Sequence, residues 1–156
     1  FHAEPGKPAT GVTVRWRGIE SWAARADEGA LLPMEMFAEG RTADAVEILY
    51  EQRDIYRSEI PDLEARLNRM GYALLREEND AQAIGVLELN TRLFPESANT
   101  YDSLGEACML SGDRDRAIRL YEKALELDPG SANAREILDR LRKGQTWDRE
   151  NRRWTG

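Results

Sequence analysis

Histidine, cysteine, long apolar runs and excess positive charge are all scarce in this sequence, and each scarcity removes a class of chemistry. His2 is the sole histidine and lies next to the start of the chain, where a frayed end is expected, so neither a His-based triad nor a His-rich metal site is expected. Cys108 is the sole cysteine; an internal disulfide is excluded, and cysteine usage leaves the compartment open. Apolar runs such as Ala30 to Leu32 are short, far below the roughly 18 residues of a membrane helix, so no membrane span is predicted. There is no initiator Met and no basic-then-apolar leader ahead of Phe1-His2-Ala3-Glu4-Pro5, which predicts a start set by processing or by excision from a larger protein. A net charge of −7 and a pI near 4.9 oppose attraction to phosphate backbones, so nucleic acid is not an expected partner. No Gly-rich phosphate loop occurs. No nucleophile constellation is recognisable, so neither catalytic residues, metal nor cofactor are expected.

What is present is a chain of 156 residues, 41% hydrophobic and 33% charged, enough for one compact domain with a real core. Residues 1–28 read as a β-hairpin or as the remnant of an upstream β domain, because Val12, Val14 and Trp16 alternate with polar residues and Gly18 marks a turn. From Leu32 the period becomes helical. A degenerate helical hairpin is expected over 30–63: a short segment ending at Gly40, then a helix N-capped by Thr42 with its stripe at Ala45, Val46, Leu49, Ile55 and Tyr56, stopped by Pro61.

A shift of 34 residues superposes Gly71 on Gly105, Ala73 on Ala107, Ala83 on Ala117, Ile84 on Ile118, Leu93 on Leu127 and Pro95 on Pro129. Ser97-Ala98-Asn99 recurs as Ser131-Ala132-Asn133. Tyr101, Leu104, Gly105, Cys108, Ala117, Tyr121, Ala124 and Pro129 then fall at the signature positions of one unit, and Leu67, Met70, Gly71, Leu74, Ala83, Leu87, Asn90 and Pro95 at those of another, with Asn90 the main departure. The chain therefore resembles tetratricopeptide repeats. The expected fold is mainly α: a TPR-like α-α superhelix of about three helical hairpins, with units at 64–97 and 98–131, a capping helix at 132–144 and a short N-terminal β-hairpin. A helix-interior Gly costs about 1 kcal/mol relative to Ala, so Gly71 and Gly105 predict close helix crossings, with Ala83 and Ala117 keeping the partner helices slim. Asp80 and Asp113 are read as N-caps and Cys108 as a buried packing residue.

By that resemblance, first helices line a concave groove, here including Asn68, Tyr72, Leu75, Arg76, Asn99, Asp102, Glu106 and Met109. They suit a protein or peptide partner, or else pack against the chain's own first 60 residues or an upstream domain. The Lys/Asn/Arg clamp with which some members grip a chaperone's terminal carboxylate is missing, because the matching positions hold Asn68, Tyr72, Ser103, Asn133 and Ile137. Six Lys or Arg against Asp148 and Glu150 make residues 140–156 basic, leaving −11 on the remainder. The Trp-containing tail at 145–156 is then either a solvated extension or an element that docks on the acidic body or a neighbouring chain, which would give a homodimer.

The wording Leu67-Asn68-Arg69-Met70-Gly71-Tyr72-Ala73-Leu74-Leu75, Phe94-Pro95-Glu96-Ser97-Ala98-Asn99 and Tyr101-Asp102-Ser103-Leu104-Gly105-Glu106-Ala107 also resembles the region that follows the catalytic domain in some bacterial serine hydrolases. Gly11 to Trp16 and Ala24-Arg25 are similar to the last strands before the repeats in the β-lactamase-related group. That group's Ser-x-x-Lys and Tyr-x-Asn do not occur here. The resemblance implies a non-catalytic interaction or domain-supporting module, or the accessory part of such a hydrolase, and a periplasmic or secreted location.

Overall fold

The computed structural model describes residues 11–16, 19–24, 36, 39–51, 53–54, 57 and 62–156. Strands β1 (Gly11–Trp16) and β2 (Ile19–Ala24) pair antiparallel, with Gly11 opposite Ala24 and Trp16 opposite Ile19. The helices delimited among the described residues are α1 (Thr42–Glu51), α2 (Leu63–Arg76), α3 (Asp80–Leu93), α4 (Ala98–Leu110), α5 (Arg114–Leu127) and α6 (Ala132–Arg142). Ile55, Tyr56 and Pro61, expected to complete and stop the first long helix, lie outside the described residues, as do Leu32, Pro33 and Gly18.

Each helix packs on its chain neighbour from α2 to α6, and α1 packs on α3. One core runs through the stack, with Leu74, Leu87, Leu89, Cys108, Tyr121 and Leu141 inaccessible or nearly so. The crossings depend on absent side chains. A Cβ built on Gly71 would lie 2.6 Å from Leu87 Cδ2 and Cγ, and one on Gly105 would lie 3.1 Å from Tyr121 Cε2. Gly85, which the repeat does not single out, plays the same part for α1, because a Cβ there would collide with Thr42 Cγ2. Ala83 and Ala117 are fully buried opposite these crossings.

Two of the expected caps differ. Asp113 does cap α5, its Oδ1 accepting from the Arg116 amide at 3.2 Å. Asp80, however, is the first helical residue of α3 and Asn79 stands at the cap, leaving the Asp80 carboxylate free for a distant partner. Thr42 likewise begins α1 rather than preceding it, and its buried Oγ1 has no hydrogen-bond partner among the described residues. At the ends of α4 and α6, Gly112 and Gly144 both adopt φ 86°, the left-handed stop that glycine tolerates best. The matching position after α2 is Glu78, at φ 60°.

The tail is not a solvated extension. Strands β3 (Thr146–Asp148) and β4 (Arg153–Thr155) form a second antiparallel hairpin, with Trp147 opposite Trp154. Those indoles meet edge to face, centroids 5.6 Å apart at 74°, and Arg140 lies 5.5 Å over the Trp154 ring. Trp154 also packs against the helical core.

Candidate partner-binding groove

Side chains of α2, α4 and α6 meet at two points, Tyr72 of α2 with Glu106 of α4, and Asp102 of α4 with Asn133 of α6. Residues at i, i+3 and i+7 of α4, namely Asn99, Asp102 and Glu106, share one side of that helix. Tyr72 reaches across from α2 to donate its hydroxyl to Glu106 Oε2 at 2.7 Å. Burial first and the Glu106 charge second push the Tyr72 phenol above its ordinary value, so it remains a neutral donor. Burial and the Glu106 charge also raise the Asp102 carboxyl, opposed by a hydrogen bond from Asn133. Tyr121, buried behind them, has its hydroxyl without a partner among the described residues, and burial drives its pKa upward. The result is a half-buried stripe of carboxylates and hydroxyls with spare hydrogen-bonding capacity.

Not every expected groove residue is available to a partner. Leu75 is buried and serves the core. Asn68 is half-buried with its Oδ1 unpartnered. Asn99 is exposed, but its Nδ2 donates to Glu64 Oε1 at 3.2 Å, where Ser97 Oγ also donates at 2.8 Å. Arg76 is exposed, and Met109 is half-buried against the core. Asn90, the departure from the repeat, is wholly buried and uses its Nδ2 to bind the Glu64 carbonyl at 3.1 Å, tying α3 to the start of α2.

Clefts lined by described residues lie beside these side chains. One of about 250 Å³ lies between α4 and α6, lined by Asn99, Asp102, Asp128, Ser131 and Asn133 among others. Another, about 400 Å³, combines Tyr72, Arg76 and Glu106 of the helices with Trp147, Arg149 and Arg152 of the hairpin. Docking of the tail on the acidic body was one of the two expectations for residues 145–156, but neither its hairpin form nor the part of Arg149 was foreseen. Arg149 donates from Nη1 to Asp80 Oδ1 and Oδ2 at 2.8 and 2.9 Å, and from Nη2 to the Leu75 carbonyl. Both partners of this ion pair are mostly shielded, their side chains 29% and 25% exposed, so charge-assisted bonds here contribute more than a surface pair.

No group of three or more His, Cys, Asp or Glu placed to hold a metal occurs among the described residues. Cys108 is buried, and loss of hydration pushes its thiol up to about 11, which keeps it protonated and unreactive.

The fold is that of a tetratricopeptide stack, and the sequence profile of the tetratricopeptide repeat matches residues 98–131. Among solved structures, the chain is similar to the first TPR of Spaghetti (RPAP3) bound to the HSP90 peptide SRMEEVD, with 20% identity and a TM-score of 0.51 over 72% of this chain and 86% of that one. It is also similar to a mutant of MamA, with 19% identity and a TM-score of 0.56 over 72% of this chain and 79% of that one. Cellulose synthase operon protein C of Escherichia coli strain K12 is 28% identical over 114 residues, covering 73% of this chain and 10% of that protein. The chain thus spans about a tenth of that relative's length. No helix among the described residues is long and apolar enough to cross a membrane.

Proposed function

We propose that the helical stack is a non-catalytic protein-interaction module that takes a peptide or protein segment along the face of α2, α4 and α6. The observation that carries this reading is the Tyr72–Glu106 pair with Asp102 beside it. These are polar groups on the presented face that are partly stripped of water, so a donor-rich segment would relieve them. The fold supports a peptide as the ligand class, because a structure of the same fold carries one. The strained Glu78 at the cleft edge, where the next unit uses Gly112, fits a site under constraint. The test is capture of partners by the chain and by its Tyr72→Phe/Glu106→Gln variant, which keeps shape but removes the pair. Loss of specific partners is expected; identical partners from both would sink the reading.

A second reading makes the same face a support for an adjoining domain, with the chain as accessory to a β-lactamase-related serine hydrolase. It is favoured by the resemblance of Leu67 to Leu75 and Tyr101 to Ala107 to that group's repeat region. Ester or β-lactam turnover by a longer protein containing this chain, lost when residues 63–142 are deleted, would select it. A homodimer through the tail is the finer expectation for partners. Light scattering across a concentration series checks it, a constant monomer mass being the contrary result.

A further inference from the structure

Arg149 stands apart from the other cations of the tail. Its guanidinium is forked onto both Asp80 oxygens and reaches the Leu75 carbonyl, bridging a loop and the far end of a helix hairpin 69 residues earlier in the chain. The receiving atoms are well suited to that charge. Leu75 lies in the last turn of α2, at the negative end of its dipole, while Asp80 occupies the first turn of α3, where an anion is stabilised. Asp80 is not used as a cap, so nothing in the repeat itself requires its carboxylate. The other charges lining the cleft are Arg76, Arg152, Glu78 and Glu106, and Glu106 is engaged by Tyr72.

We infer that Asp80 and the Leu75 carbonyl form a guanidinium-receiving site at the edge of the groove, filled in cis by Arg149, so that the β3–β4 hairpin is a detachable strap. When the strap lifts, the site takes an arginine flanked by an indole from a partner chain, since that is the chemistry of its present occupant. The inference rests on the groove being the interaction face. Detachment is favoured by the strap's size: each strand is three residues long, and a lone two-stranded hairpin is marginal in water. Among the described residues its hold on the body includes the Arg149 bonds, the contacts of Trp147 and Trp154, and Gln145, whose amide donates to the Arg140 carbonyl at 3.0 Å and whose Oε1 accepts from Arg140 Nη1 at 3.5 Å. Net charge adds little to docking, because residues 145–156 carry Arg149, Arg152 and Arg153 against Asp148 and Glu150, a net of +1 beside −8 on the remainder.

Hydrogen exchange on the full chain tests the strap without any partner. In Arg149→Ala, residues 145–156 should exchange at least about tenfold faster while α2 to α6 keep their protection. Asp80→Asn should do the same. A peptide QTWDRENRRWTG supplied in trans should bind the Arg149→Ala chain, and should fail to bind when the peptide's first arginine is alanine. Unchanged exchange in the hairpin, loss of protection throughout the helices, or equal binding by both peptides would overturn the proposal. If the Tyr72→Phe/Glu106→Gln variant keeps its partners while these exchange results hold, the groove reading fails and the strap itself survives.

Discussion

Gly71 and Gly105 occupy equivalent places but differ in tolerance. A methyl at Gly71 would press on the Leu87 branch point at 2.6 Å, whereas one at Gly105 meets the flat Tyr121 ring at 3.1 Å. Overpacking costs about 1–3 kcal/mol, against which Ala gains about 1 kcal/mol of helix propensity. Gly71→Ala is expected to lower the denaturation midpoint clearly and Gly105→Ala to change it little. The opposite exchange applies at Glu78, where φ of 60° strains a residue with a Cβ. Glu78→Gly should raise stability by about 0.5–1 kcal/mol in the same assay. Both repeat glycines were legible because the 34-residue shift pairs them; Gly85 was not, since its partner in that register is Arg119 and its reason is the separate packing of Thr42. The same shift explains the misplaced cap, for Asp113 falls on Asn79 and not on Asp80. Alkali provides a further check. Cys108 is raised from 9.0 to about 11, and Tyr72 and Tyr121 are raised as well. Their neutral forms are favoured by folding, so above pH 9 the unfolded chain holds fewer protons than the folded one. Stability should therefore fall as pH rises from 9 toward 11 and be insensitive to these groups below 9, as urea titrations at stepped pH would show.

At the scale of elements, two aspartates at helix starts should behave differently. Asp113→Ala removes the hydrogen bond to the Arg116 amide and should cost about 1 kcal/mol of global stability. Asp80→Ala leaves α3 uncapped no more than before and should instead loosen the hairpin, so its effect belongs in the exchange of residues 145–156. Helices α2 to α6 could be read from sequence because their stripes, glycines and prolines agree with one another. The β3–β4 hairpin could not. Its strands are too short to show alternation, its four-residue connection Arg149-Glu150-Asn151-Arg152 contains no glycine, and its left-handed residue is Arg152 at φ 50°. The turn is held instead by Asp148, whose carboxylate accepts from the Asn151 amide at 3.0 Å and side chain at 2.8 Å. Only the pairing of Trp147 with Trp154, seven residues apart in the chain and in contact across the hairpin, reveals why both indoles are present.

For the whole molecule, a stack in which each helix leans on its neighbours leaves one long face presenting Tyr72, Asp102 and Glu106, closed at one edge by the chain's own basic hairpin. The expectation of a groove along the first helices came from the resemblance to tetratricopeptide repeats, while the helix period alone says only that Asn99, Asp102 and Glu106 share one side of α4. Which of its residues are free was not legible, because Leu75 is drawn into the core and Asn99 is held by Glu64 through packing that no single segment encodes. The claim that this face receives a protein partner is tested most directly by photo-crosslinking from single positions in the full chain. A crosslinker at Arg76 or Asn99, both exposed and lining the two clefts, should trap a specific protein or peptide, and one at Arg119 or Glu126 on α5 should not. Crosslinks confined to Arg119 and Glu126, or equal from both faces, would contradict the account.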